Sequence, residues 1–112
     1  MDSMLTKNTR DERRFSPDKM QKVNMFETER MFADIYCLEP GQQQRIHAHA
    51  GADKIYFVVE GVAHFHIGGE ERDLGPDNIV LAPSDIEHGV INNTNEQVVL
   101  LVFLAPNPNV KR

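Results

Sequence analysis

Five histidines occur in this 112-residue chain, and the spacing of three of them suggests chemistry. His47 and His49 lie two residues apart in Gly41-Gln-Gln-Gln-Arg-Ile-His47-Ala-His49, a stretch that runs on through Lys54-Ile-Tyr-Phe-Val-Val-Glu-Gly61. In a β-strand, residues i and i+2 point to the same face. Both imidazoles would then look into one space, and two neutral imidazoles converging there begin a transition-metal site. A third ligand has to come from a distant segment, and His88 is the best candidate. His64 and His66 repeat the spacing, but Ala63, Phe65 and Ile67 form the apolar face of that strand. The second pair is therefore expected on solvent or on a partner subunit, with no third ligand near it in sequence.

The elements that must position these rings read as strands. Val23–Phe26, Arg30–Leu38, Ile46–His49, Lys54–Glu60, Ala63–Ile67, Arg72–Leu74, Ile79–Ala82, His88–Ile91 and Val98–Ala105 are short runs of strand-forming residues. Between them lie Pro40-Gly41, Gly68-Gly69, Gly75-Pro76-Asp77-Asn78 and Asn92-Asn93-Thr94-Asn95, all turn chemistry. Many short strands at close intervals predict an all-β sandwich or barrel. Residues 1–21 lack periodicity and are expected to form a flexible leader, with a short helix after Ser16-Pro17; residues 22–112 form one domain. The run from Val98 to Leu104 is apolar on both faces, so its outer face needs a cover. The leader or a second copy would serve, and a homodimer is the expected cover.

Bulk properties exclude other classes. A formal charge of −5 argues against a general nucleic-acid binder, and no apolar run is long enough to span a membrane. The N-terminal stretch has no apolar signal core. The lone Cys37 rules out an internal disulfide framework and, set in an apolar strand, reads as packing. A cytoplasmic protein is the resulting expectation.

The two histidine segments resemble the paired motifs of small single-domain cupins. Gly41, His47, His49 and Gly61 match the first motif, and Pro83, His88 and Asn92 the second, over roughly Asn24 to Pro106. The resemblance implies a jelly-roll barrel of two antiparallel sheets, with one divalent transition metal (Fe, Zn, Ni, Mn or Cu) on His47, His49 and His88. It also implies a small-molecule ligand in the barrel mouth, for an oxygenase or isomerase, or for a non-catalytic binding or sensor module. Two departures stand out. The glutamate that usually completes the metal site is replaced by Lys54, next to Asp53. Either Asp53 reaches the metal through a local bulge, or the site has three histidines and no carboxylate. Lys54 becomes the candidate catalytic residue, favouring an anionic substrate. It could also point away, lose its proton or pair with Asp53. Asp77 and Asp85 stand where the second motif normally has glycines; aspartate tolerates left-handed backbone better than most residues. Gln44, Tyr56 and Phe103 are further pocket candidates.

Overall fold

The computed structural model describes residues 4–110. A single helical turn, α1 (Thr9–Glu12), precedes nine strands among these residues: β1 (Gln21–Glu27), β2 (Phe32–Leu38), β3 (Gln43–His47), β4 (Asp53–Glu60), β5 (Ala63–Ile67), β6 (Glu70–Leu74), β7 (Ile79–Ala82), β8 (His88–Ile91) and β9 (Val98–Ala105). They form two antiparallel sheets, β1-β2-β9-β4-β7 and β3-β8-β5-β6. The all-β expectation and nearly every strand position hold. Two local expectations change. The short helix lies before Ser16-Pro17, capped by the Asn8 side chain. The third strand starts earlier and ends at His47, which leaves His49 in the following loop.

Strand register explains what lines the interior. Across the five-stranded sheet, Asn24, Asp34, Val102, Tyr56 and Val80 stand side by side, as do Lys22, Tyr36, Leu100 and Val58, and Phe32, Leu104, Lys54 and Ala82. These rows face the other sheet. There Tyr36, Leu38, Tyr56, Val58, Phe65, Val90, Leu100 and Val102 belong to one buried core. One end of the barrel is thus packed with hydrocarbon, while the other carries Lys22, Asp34 and Lys54.

The opposite face of the same sheet is also apolar, as the double-sided pattern of β9 requires. Its β1–β2 half is covered from within the chain. Phe15 packs with Met25, Ala33, Ile35 and Cys37, Arg13 reaches Glu60 at 2.9 Å, and the Gln42 amide donates to the Ser16 carbonyl at 2.7 Å. The segment 13–16 therefore lies against the barrel. The β9–β4–β7 half stays open, with Phe103, Leu81 and Ile79 exposed.

Turn chemistry follows local sterics. Asp77 and Asp85 both adopt positive φ, 75° and 68°, so the two aspartates take on the conformation usually supplied by glycine. Asn92 is a structural member of its motif. It is fully buried, its Nδ2 donates to the Leu38 and Glu96 carbonyls, and its Oδ1 accepts from Thr94.

A bulge in β3 sets the direction of His47. Gln44 pairs with Val90 and His47 with His88, so Arg45 and Ile46 together face the single residue Gly89. A methyl group at Gly89 would lie 2.9–3.1 Å from the Gln44 and Ile46 backbone. Gly89→Ala should push β3 outward and cost about 1–3 kcal/mol, the usual penalty for overpacking. Thermal denaturation measures it, and a variant as stable as the parent would contradict this account of the bulge.

Candidate metal centre

His47 at the end of β3, His49 just beyond it and His88 at the start of β8 come together at the polar end of the barrel. One ring nitrogen from each lies within 4.8 Å of the others, and no other group of three metal-ligand side chains gathers this way among the described residues. His49 is not in the strand, so plain alternation does not aim its ring. The bulge and the loop after His47 turn it back, and the His47 and His49 ring centres sit 4.7 Å apart. His88 is 4.4 Å from His47 and 5.4 Å from His49, centre to centre.

Hydrogen bonding decides which nitrogen is free. His47 Nδ1 lies 2.7 Å from the Arg45 carbonyl, and His88 Nδ1 2.9 Å from the Ile86 carbonyl. A carbonyl can only accept, so both Nδ1 atoms carry hydrogen and both Nε2 atoms present lone pairs. His88 Nε2 is buried and has no hydrogen-bond partner. His47 Nε2 and His49 Nε2 are 3.0 Å apart, which a shared proton or a cation must bridge. A buried, unpaired acceptor beside two further imidazoles costs free energy unless something binds it. The backbone carbonyls also fix the tautomer as metal-ligand histidines require. The donor set therefore fits a divalent transition metal.

The protonation equilibria agree. Burial, ahead of all other causes, lowers the pKa of all three imidazoles, with Lys54 adding to the effect on each, and His49 falls to about 4. Neutral rings are available for coordination at neutral pH.

The structure separates the other two site candidates. Tyr56 and Val58 are inward, so Lys54 is inward too, with 1% of its surface exposed. Asp53, one residue earlier, faces the other way, and its Oδ1 accepts from the Ser84 backbone amide at 2.9 Å. Asp53 does not join the three imidazoles, and Lys54 neither points away nor pairs with it. The Lys54 ammonium instead donates to Gln44 Oε1 at 3.0 Å, and lies 5.1 and 4.9 Å from the ring centres of Tyr36 and Tyr56. Tyr56 donates to the same Gln44 oxygen at 2.8 Å, and the Gln44 amide donates to the Tyr36 hydroxyl at 3.1 Å. Burial first, then the nearby Lys22 charge, brings the Lys54 pKa down to about 7.

These groups border a cavity of about 450 Å³ whose lining includes Lys22, Asp34, Arg45, His47, His49 and Lys54. Gln44 lines it as expected, while Tyr56 sits just behind it. Phe103 lies on the outer sheet face and takes no part. Lys22, Asp34, Tyr36 and Arg45 were not singled out by spacing. For Lys22 and Tyr36 the available signal was cross-strand register, which single-strand periodicity does not reveal. His64 and His66 point away from the cavity, as the apolar alternation of β5 predicts. Their neighbours are carboxylates supplied by strand pairing: His64 touches Asp73 and Glu71 at 2.8 Å each, and His66 touches Glu87 at 2.7 Å.

Residues 34–104 match the cupin domain family. The chain belongs to the cupins. The barrel overlays a Thermus thermophilus protein structure with a TM-score of 0.91, at 41% identity over 94% of this chain and all of the other. An uncharacterised Streptomyces coelicolor protein is 30% identical over 68% of this cupin and 71% of its own length. A Thermotoga maritima protein named for oxalate binding is 26% identical over 76% of this chain and 69% of its own. No helix among the described residues is long and apolar enough to cross a membrane.

Proposed function

We propose that this cupin holds one divalent transition metal on His47, His49 and His88 and acts on a small organic anion, most naturally a carboxylate, in the adjoining cavity. The observation that carries the reading is the combination of three converging imidazoles with a buried lysine where a carboxylate usually stands. When bound, the metal supplies Lewis acidity and open positions for an oxygen-bearing ligand. The chain's own residues supply the rest. Lys54 Nζ faces the ligand with a positive charge or, once deprotonated, with a lone pair. A pKa near 7 suits an amine that gives and takes protons. Gln44 holds that nitrogen in place through its Oε1, and Tyr36 and Tyr56 in turn hold Gln44. This placement of a proton carrier favours isomerase or lyase chemistry over oxygen-dependent cleavage.

A second reading is a binding module without turnover. The Thermotoga relative named for oxalate binding favours it, as the same cavity and charges would capture a carboxylate equally well.

Lys54→Glu tests the shared core of both readings. It restores a carboxylate beside the imidazoles and reverses the charge that meets the ligand. Metal occupancy after purification should rise, while affinity for small carboxylates such as oxalate and malonate should fall about tenfold or more, since charge-assisted hydrogen bonds contribute about 1.5–3 kcal/mol. Mass spectrometry of bound metal and calorimetry read the two changes. Unchanged values for both would defeat the proposal. Oxygen consumption or substrate turnover by the metal-loaded parent then separates the enzyme from the binding module.

A further inference from the structure

The charges around the cavity are arranged at two depths. Lys54 is at the floor with 1% exposure. Lys22 and Arg45 border the same cavity from β1 and β3, and both are exposed at its rim. None of the three has a carboxylate within ion-pair distance among the described residues. The one acidic residue in the lining, Asp34, is engaged by the Asn24 side-chain amide at 2.9 Å. A chain with a net charge of −5 thus leaves three basic side chains without an ion pair around a single space that His47 and His49 also line.

Like charges are not gathered without cost. The Lys22 and Lys54 ammonium groups lie 5.4 and 5.1 Å from the centre of the same Tyr36 ring. The ring face attracts both, but each still repels the other, and Lys22 is among the causes of the lowered Lys54 pKa. A cavity of this charge focuses field toward an anion. A cavity of about 450 Å³ is far more room than one carboxylate fills. Phe32 and Leu104 line the cavity as well and offer an apolar wall to a carbon chain.

We propose that the ligand is a dianion with its charges at opposite ends: one group is held at the floor by Lys54 and the metal centre, the other at the rim by Lys22 and Arg45. This rests on the reading of an anionic ligand given above and adds its length and second charge. Lys22 and Arg45 are then specificity-determining residues.

The test is calorimetry on the zinc-loaded protein with succinate, glutarate and their monomethyl esters, which keep the length and remove one charge. The free diacid should bind at least tenfold tighter than its monoester. In a Lys22→Ala, Arg45→Ala double variant that ratio should shrink to within threefold. Both positions are exposed, so folding is not at risk. Equal binding of diacid and monoester by the parent overturns the two-ended ligand and leaves the carboxylate reading intact. Full retention of the ratio in the double variant overturns the assignment of the rim. Absence of binding by every carboxylate overturns both proposals.

Discussion

Replacing Lys54 by methionine should make the protein more stable while removing its hold on anions. The ammonium is buried at the barrel floor, and burial alone is the largest cause of its lowered pKa. Methionine fills similar volume without a charge. The change also orphans nothing: Gln44 Oε1 keeps the Tyr56 hydroxyl as donor, and the Gln44 amide keeps the Tyr36 hydroxyl as acceptor. Exchanging buried charge for well-packed hydrocarbon commonly gains about 1–4 kcal/mol, and that range is the expected gain at pH 7 by urea denaturation of the metal-free protein.

The pH dependence gives an independent check. Lys54 titrates near 7 when folded and at its ordinary value of 10.5 when unfolded. Between those values the unfolded chain binds a proton that the folded chain refuses. Stability present above the unfolded pKa is therefore lost as pH falls toward 7, by at most about 1.4 kcal/mol per unit. The parent should gain stability from pH 7 to pH 9, and the methionine variant should lose this component of the slope. A variant no more stable than the parent, with the same pH slope, would show that the buried ammonium is not under strain. A stabilising loss of function is what a site built for binding rather than for folding should display.

His88→Ala should abolish stoichiometric metal. His88 presents a buried ring nitrogen with no hydrogen-bond partner, and its neighbours His47 and His49 come from a single short segment. Two ligands from one segment hold a metal weakly, because the third closes the site from the opposite strand. Losing even a supporting residue around a metal typically costs about 10–100-fold in affinity, so loss of a ligand should cost about 100-fold or more. Added zinc at about a hundred times its dissociation constant should stabilise the parent by about 2.7 kcal/mol. The same zinc concentration should leave the variant's melting temperature nearly unchanged. Equal metal content in the two proteins would remove His88 from the site.

Much of this was legible in the sequence, for a definite reason. Strand identity depends on local residue type and on the Gly, Pro and Asn turns that punctuate it, so the positions from β4 to β9 follow from neighbours alone. The outward direction of His64 and His66 was equally readable, because Ala63, Phe65 and Ile67 alternate cleanly with them. Lys54 was harder. Ile55 and Phe57 are as apolar as Tyr56 and Val58, so β4 gives no pattern that says which row is inside. Only the pairing with β9 and β7 settles it, turning Lys54 inward and Asp53 toward the Ser84 amide.

His49 shows the limit from another side. Its spacing from His47 suggested a shared strand face, yet β3 ends before it, and a bulge opposite Gly89 aims the rings instead. The chain of residues by itself determined an all-β barrel, its turns and three imidazoles able to meet, because those depend on composition and short spacings. Tertiary structure alone decided that the lysine faces them, that the aspartate does not, and that Lys22 and Arg45 share their cavity. Those relations arise between strands far apart in sequence, where register and closure of the sheets bring the groups together.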